Sequence, residues 1–162
     1  MRNVGKMKLA TPGERTIEMS REFDAPKQLV FDAYTKPELV RQWLGVFNGM
    51  TMPVCEIDLR VGGTYRYVWE GNGMRMGMRG VYREIEKPSR LVATEKFDEA
   101  WYPGEAVGTV TFVEQAGKTT LMISVEYASK EVREAVLKTP MEHGVAAGFE
   151  MLAGLLSKGT KS

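Results

Sequence analysis

The stretch TYRYVWEGNGMRMGMRGVYREI, residues 64–85, decides how this chain folds. Tyr65, Tyr67 and Trp69 fall at every second position, opposite Thr64, Arg66 and Val68, as side chains do on a strand. Glu70-Gly-Asn-Gly73 then supplies turn residues, after which Met76, Met78, Gly80 and Tyr82 resume the alternation. Two strands joined by so short a link form an antiparallel hairpin.

The pattern extends in both directions. Val54–Leu59 reads as the preceding strand and ends at the turn Arg60-Val-Gly62-Gly63. Arg90–Phe97, Val107–Glu114 and Lys118–Tyr127 follow, linked by Glu86-Lys-Pro-Ser89, Asp98–Ala106 and Gln115-Ala-Gly117. Nearer the start, Ile17, Met19, Arg21 and Phe23 alternate against Thr16, Glu18, Ser20 and Glu22, which adds a strand over Arg15–Phe23.

Helical spacing occupies the rest. Asp24-Ala-Pro26 reads as an N-cap with proline near the first turn, followed by Leu29, Val30, Ala33 and Tyr34. Lys36-Pro37 breaks that helix, and Glu38–Leu44 makes a second short one. Ser129 caps a helix carrying Val132, Ala135 and Val136, which Pro140 ends. Val145, Phe149, Leu152 and Leu156 then mark a long last helix over about Met141–Ser157.

The order is α+β: a strand, two short helices, about six strands, and a long C-terminal helix. It predicts a curved antiparallel sheet of about seven strands in one domain over residues 15–157. Residues 1–14, with Pro12-Gly13, read as a flexible leader, and 158–162 as a flexible tail.

Composition narrows the function classes. Lys and Arg number 22 against 21 Asp and Glu, so the basic excess typical of nucleic-acid binders is missing. Cys55 is the sole cysteine, which rules out an intrachain disulfide and fits a reducing, cytoplasmic setting. No apolar run follows the basic Met1–Lys8, and none later reaches bilayer length, so neither a secretory signal nor a membrane span is expected. Methionine is abundant, at 11 residues. It fills irregular space and adapts to varied partners.

A meandering sheet must cover one face, and twist bends it around the long helix so that the grip gapes at its ends. A concave space is therefore expected. The inward set by alternation is Tyr65, Tyr67 and Trp69; Met76, Met78 and Tyr82; Leu91, Ala93, Glu95 and Phe97; Val110 and Phe112; and Leu121, Ile123, Val125 and Tyr127. Residue types alone leave two readings, a wet cavity or a mixed core, because buried Tyr and Trp need polar partners in either.

Glu95 points inward by this count. A buried carboxylate must be hydrogen-bonded, paired or protonated, and Arg21 and Arg79 are its candidate partners. The alternative role is a polar anchor for a ligand. His143, the single histidine, reads as a surface or structural residue, and a metal site is not expected. Cys55 reads as a small buried apolar side chain, and Asp58 with Arg60 as a structural pair.

Several segments resemble a known family. They are Arg21-Glu-Phe-Asp-Ala-Pro26, Phe31-Asp-Ala-Tyr34-Thr-Lys-Pro37, Arg41-Gln-Trp43, and Val54-Cys-Glu-Ile-Asp58-Leu-Arg60-Val-Gly62-Gly63-Thr-Tyr65-Arg. Further on come Gly80-Val-Tyr-Arg-Glu84-Ile85-Glu-Lys-Pro88-Ser-Arg90-Leu91-Val, Trp101-Tyr-Pro-Gly104 and Gly148-Phe149. In order and spacing, over roughly residues 15–157, they resemble the family named after the activator of Hsp90 ATPase, within the START-like (SRPBCC, Bet v 1-like) superfamily.

The resemblance implies a helix-grip fold and a hydrophobic ligand cavity, but it supplies no catalytic residues. The eukaryotic co-chaperone that names the family has an additional N-terminal domain for which this chain has no room, so action on Hsp90 is not carried over. On this implication the ligand-binding candidates are Trp43, Tyr65, Tyr67, Trp69, Met76, Met78, Glu95, Phe97, Trp101, Phe112 and Phe149. Trp43, Trp101 and Tyr102 belong to irregular segments near the expected cavity mouths, where Trp101 fits equally well as a plug.

Three functions compete. The leading one is a non-enzymatic binder or carrier of a small hydrophobic, lipid-like or aromatic molecule, with no cofactor. A cyclase- or hydrolase-type enzyme in the same cavity would need Glu95 or His143 as its acid or base. A protein-interaction module related to Hsp90 co-chaperones is the third. A homodimer is compatible with the sequence.

Overall fold

The structure is a computed structural model and describes residues 7–46, 49–99 and 102–159. Its strands are β1 (Lys8–Ala10), β2 (Thr16–Phe23), β3 (Thr51–Ile57), β4 (Thr64–Gly71), β5 (Met74–Glu86), β6 (Arg90–Phe97), β7 (Ala106–Gln115) and β8 (Lys118–Glu126). Its helices are α1 (Lys27–Thr35), α2 (Pro37–Val40), α3 (Lys130–Leu137) and α4 (Met141–Gly159). All eight strands form one antiparallel, unclosed sheet in the order β1-β2-β8-β7-β6-β5-β4-β3.

The seven expected strands are all present, and the eighth comes from the segment read as a flexible leader. Lys8, Leu9 and Ala10 pair with Ser20, Met19 and Glu18. Three residues are too few to display an alternation, so this strand is defined by its neighbour. The first helix also starts differently from expectation. Pro26 is its N-cap, with no side-chain cap bond, and Asp24 plays no capping role. At α3 the expectation holds: Ser129 Oγ accepts from the Val132 N–H at 3.2 Å. Proline divides the other helices, with Pro37 opening α2 and Pro140 separating α3 from α4.

Side chains on the concave face pack in three groups rather than one. The first joins Phe149, Leu152 and Leu156 of α4 with Phe23, Phe31, Leu91, Phe112 and Leu121. Phe23 meets Phe149 edge-on at 5.7 Å, and Phe31 meets Phe112 at 5.2 Å. Burying each such ring contributes roughly 1.5–3 kcal/mol, so the C-terminal half of α4 is clamped to the sheet. A second group gathers Ile17, Met19, Val125 and Tyr127 under Val132 and Val136 of α3. The third sets Tyr65, Tyr67, Trp69 and Tyr82 against Val40, Met52 and Cys55. Space remains where the three groups meet, beneath the first turns of α4.

Candidate functional site

A pocket of about 210 Å³ occupies the centre of the concave face. Tyr65, Tyr67, Trp69, Met78 and Tyr82 form one wall, while Ala93, Glu95, Gly108 and Val110 form its floor. Tyr34 of α1 and Met141 and Val145 of α4 also line it. An outer pocket of about 880 Å³ is bordered by Met74, Met76, Phe97, Tyr102, Val136 and Pro140. A third, of about 310 Å³, runs between Trp43, Gly45 and Met50 on one side and Gly144, Gly148 and Phe149 of α4 on the other.

The three spaces adjoin. Glu95, Tyr127 and Met141 line both the inner and outer pockets, and Leu44, Trp69, Ile123 and Val145 line both the inner and third. Met141 borders all three. It is the first residue of α4, placed there because Pro140 stops the chain from continuing α3.

Backbone hydrogen bonds hold the aromatic wall. The Tyr65 hydroxyl donates to the Thr94 carbonyl at 2.8 Å, and the Trp69 indole N–H to the Leu44 carbonyl at 2.8 Å. The Tyr65 ring crosses Gly80, where an added Cβ would lie 2.4 Å from the ring and 1.9 Å from the Thr94 carbonyl oxygen. Gly80 is therefore a site of close approach that no side chain fits. Between the paired residues Arg79–Lys96 and Tyr82–Ala93, Thr94 also accepts from the Val81 N–H through its hydroxyl at 2.9 Å. Glu95 sits beside this side-chain bridge.

Both expected partners of Glu95 are engaged elsewhere. Arg21, buried on the same face, lies 3.6 Å from Glu150 of α4 and 4.9 Å from the centre of the Phe23 ring. Arg79 points to the other side of the sheet and bonds Asp98 at 2.8 Å. Among the described residues no salt bridge reaches Glu95. Burial without a compensating charge pushes its carboxyl up to about 7. Tyr34, Tyr65 and Tyr127 are held well above the usual phenol range, first by burial and then by the charge of Glu95. Tyr102 is raised to about 12 for the same two reasons.

The candidates from the sequence fall in several places. Tyr65, Tyr67, Trp69 and Met78 line the inner pocket, and Glu95 its junction with the outer one. Phe97 lines the outer pocket, Met76 the outer and third, and Trp43 and Phe149 the third. Phe112 lines none of these spaces, because α1 lays Phe31 and Tyr34 against its ring. Trp101 lies outside the described residues.

Asp58 and Arg60 pair at 2.8 Å, and Cys55 is buried, with its thiol pushed up by that burial. His143 is exposed and lines none of the pockets. Among the described residues there is no group of three His, Cys, Asp or Glu that could hold a metal ion, and no helix is long and apolar enough to cross a membrane. Sequence reasoning missed Tyr34, Gly108, Met141 and Val145. Gly108 alone carried a signal, a glycine inside a strand pattern, which marks close approach or missing volume.

An antiparallel sheet curved about a C-terminal helix, with hollow space between them, defines the helix-grip class. Solved structures agree. A Rhodobacter sphaeroides protein superposes with a TM-score of 0.85 at 29% identity, covering 93% of this chain and 98% of that one. A Chromobacterium violaceum protein gives 0.75 at 27%, covering 88% and 96%. An HSP90 activator from Plasmodium falciparum gives 0.64 at 22%, covering 86% and 96%, a likeness of fold. No curated protein matches the chain by sequence. Residues 24–157 match the family model described as Activator of Hsp90 ATPase homolog 1-like protein, and the chain belongs to that family.

Proposed function

We propose that this protein binds a small, largely apolar molecule in the adjoining pockets between the sheet and the first turns of α4. The observation that carries the reading is the shared wall. Residues Glu95, Tyr127 and Met141 connect an inner chamber to an outer pocket of about 880 Å³, within the size range of small-molecule sites. Aromatic and methionine side chains dominate these walls, with a single carboxyl at the junction, which is the usual composition of such a site.

Native mass spectrometry of protein purified without denaturation tests this directly. A co-purifying small molecule, or a raised Tm with lipid-like or aromatic compounds, is the expected result. At a hundredfold excess over Kd, binding adds about 2.7 kcal/mol of stability. Protein that carries no guest and gains no stability from a broad apolar panel would remove the proposal.

Glu95 favours a second reading, acid–base chemistry in the same space, since a carboxyl titrating near 7 can both give and take a proton at neutral pH. Following the mass of any captured molecule over time decides it. Conversion by the wild type but not by Glu95→Gln supports catalysis, and a molecule unchanged in both mass and chromatographic retention leaves binding alone. Stimulation of Hsp90 forms no part of the proposal, and an unchanged Hsp90 ATPase rate on adding the protein is expected.

A further inference from the structure

Among the described residues that line the inner pocket, Glu95 alone is an acid or base of the Asp, Glu, Lys, Arg or His type. Among the described residues no Lys, Arg or His forms a salt bridge with it. The charged groups bordering the outer pocket are Arg75, Asp98 and Glu99 together with Glu95, one arginine against three carboxylates. Arg75 is already bonded to Glu70, and Asp98 is held by Arg66 at 2.6 Å and by Arg79 at 2.8 Å. Four tyrosines on other parts of the fold are close enough for the charge of Glu95 to raise their hydroxyls: Tyr34 on α1, Tyr65 on β4, and Tyr102 and Tyr127, which border the outer pocket. The last two rings meet edge-on at 5.8 Å.

We propose, resting on the binding function above, that the molecule held there is a small lipophilic amine, its protonated nitrogen on Glu95 and its hydrocarbon among the aromatic and methionine walls. A carboxylate in apolar surroundings is costly unless an opposite charge accompanies it. Neither Arg21 nor Arg79 supplies that charge, so the carboxyl is protonated in the empty pocket or ionised against a charge that the ligand brings. Gly108 gives the carboxyl room to lie against β7, since a Cβ there would stand 3.3 Å from Glu95 Oε2 and crowd it.

Three probes of matched hydrocarbon separate the head groups: phenylbutylamine, phenylbutanol and phenylbutyrate, titrated calorimetrically at about pH 7.5, where the amine is charged. The amine is expected to bind about tenfold tighter than the alcohol, with the butyrate weakest. Glu95→Gln, close in volume, should weaken the amine by about tenfold and leave the alcohol unchanged. Carbon-13 NMR of the Glu95 carboxyl in the wild type gives an independent readout, since bound amine should move its titration to lower pH.

Equal binding of all three probes, or an amine preference that survives Glu95→Gln, overturns the amine inference while leaving the apolar binding site intact. No detectable binding of any probe up to ~1 mM, where the free energy of association is only about 4 kcal/mol, also overturns the amine inference, while the binding function is decided by the native mass spectrometry and the broad panel.

Discussion

Glu95 on β6 lies against Gly108 on β7, with Oε2 3.3 Å from where a Cβ on residue 108 would stand. Gly108 pairs with Ala93, two residues before Glu95 on the same face. Successive small residues thus make the floor on which the carboxyl rests. Adding one carbon here forces the carboxyl to move by a few tenths of an ångström. Gly108→Ala is expected to change folding stability by less than about 1 kcal/mol, since alanine suits a regular backbone better than glycine. It should nevertheless displace the Glu95 carboxyl, visible as a changed carbon-13 titration. An unaltered titration would show that the two residues are not coupled.

Stability should fall as pH rises through the Glu95 transition. Its carboxyl titrates near 7 when folded against 4.5 as a free group, so between those values the folded state binds more protons than the unfolded one. Under that condition the stability contribution is complete below about pH 4.5, declines up to about pH 7, and is then constant. The shift corresponds to at most about 3 kcal/mol. Urea denaturation of wild type and Glu95→Gln across this range isolates it. The variant should gain on the wild type by that order as pH rises, and parallel curves would contradict the assignment.

The bridge through Thr94 gives two substitutions of graded severity. Tyr65→Phe removes the hydrogen bond to the Thr94 carbonyl and leaves a buried acceptor unmet, at a cost of about 1–2 kcal/mol. Gly80→Ala drives a carbon into the carbonyl itself and should cost on the order of 2–3 kcal/mol. Chemical denaturation orders them, and a Gly80→Ala variant as stable as wild type would refute the close approach.

Arg21 is buried at 7% exposure, yet its Nε and Nη1 lack hydrogen-bond partners and its counterion Glu150 is largely exposed. Burial depresses its pKa more than Glu150 restores it. Replacing such a group with a matched apolar side chain is commonly neutral or stabilising. Arg21→Met is therefore expected to be at least as stable as the wild type in thermal denaturation. A loss above about 2 kcal/mol would instead make the Arg21–Glu150 pair a support of the fold.

Most of the architecture was legible because alternation and helical spacing are local. Tyr65, Tyr67 and Trp69 share a face whatever else the chain does, and so do Val145, Phe149, Leu152 and Leu156. Strand β1 was not legible, since three residues acquire their pairing only from β2. Phe112 and Glu95 show the limit for the site. Both point to the concave face by the same count, but α1 covers Phe112 with Phe31 and Tyr34, whereas Glu95, lying against Gly108, borders the inner and outer pockets.

By itself the sequence determined the order of elements, the inward set on each strand and the sign of the one carboxyl among them, because each follows from neighbours along the chain. Only the tertiary structure decided where the interior stays hollow, that Arg21 turns to Glu150 and Arg79 to Asp98, and that Met141 borders all three adjoining pockets. Unfilled volume and charge pairing depend on side chains brought together from distant elements, and a one-dimensional periodicity carries no record of those distances.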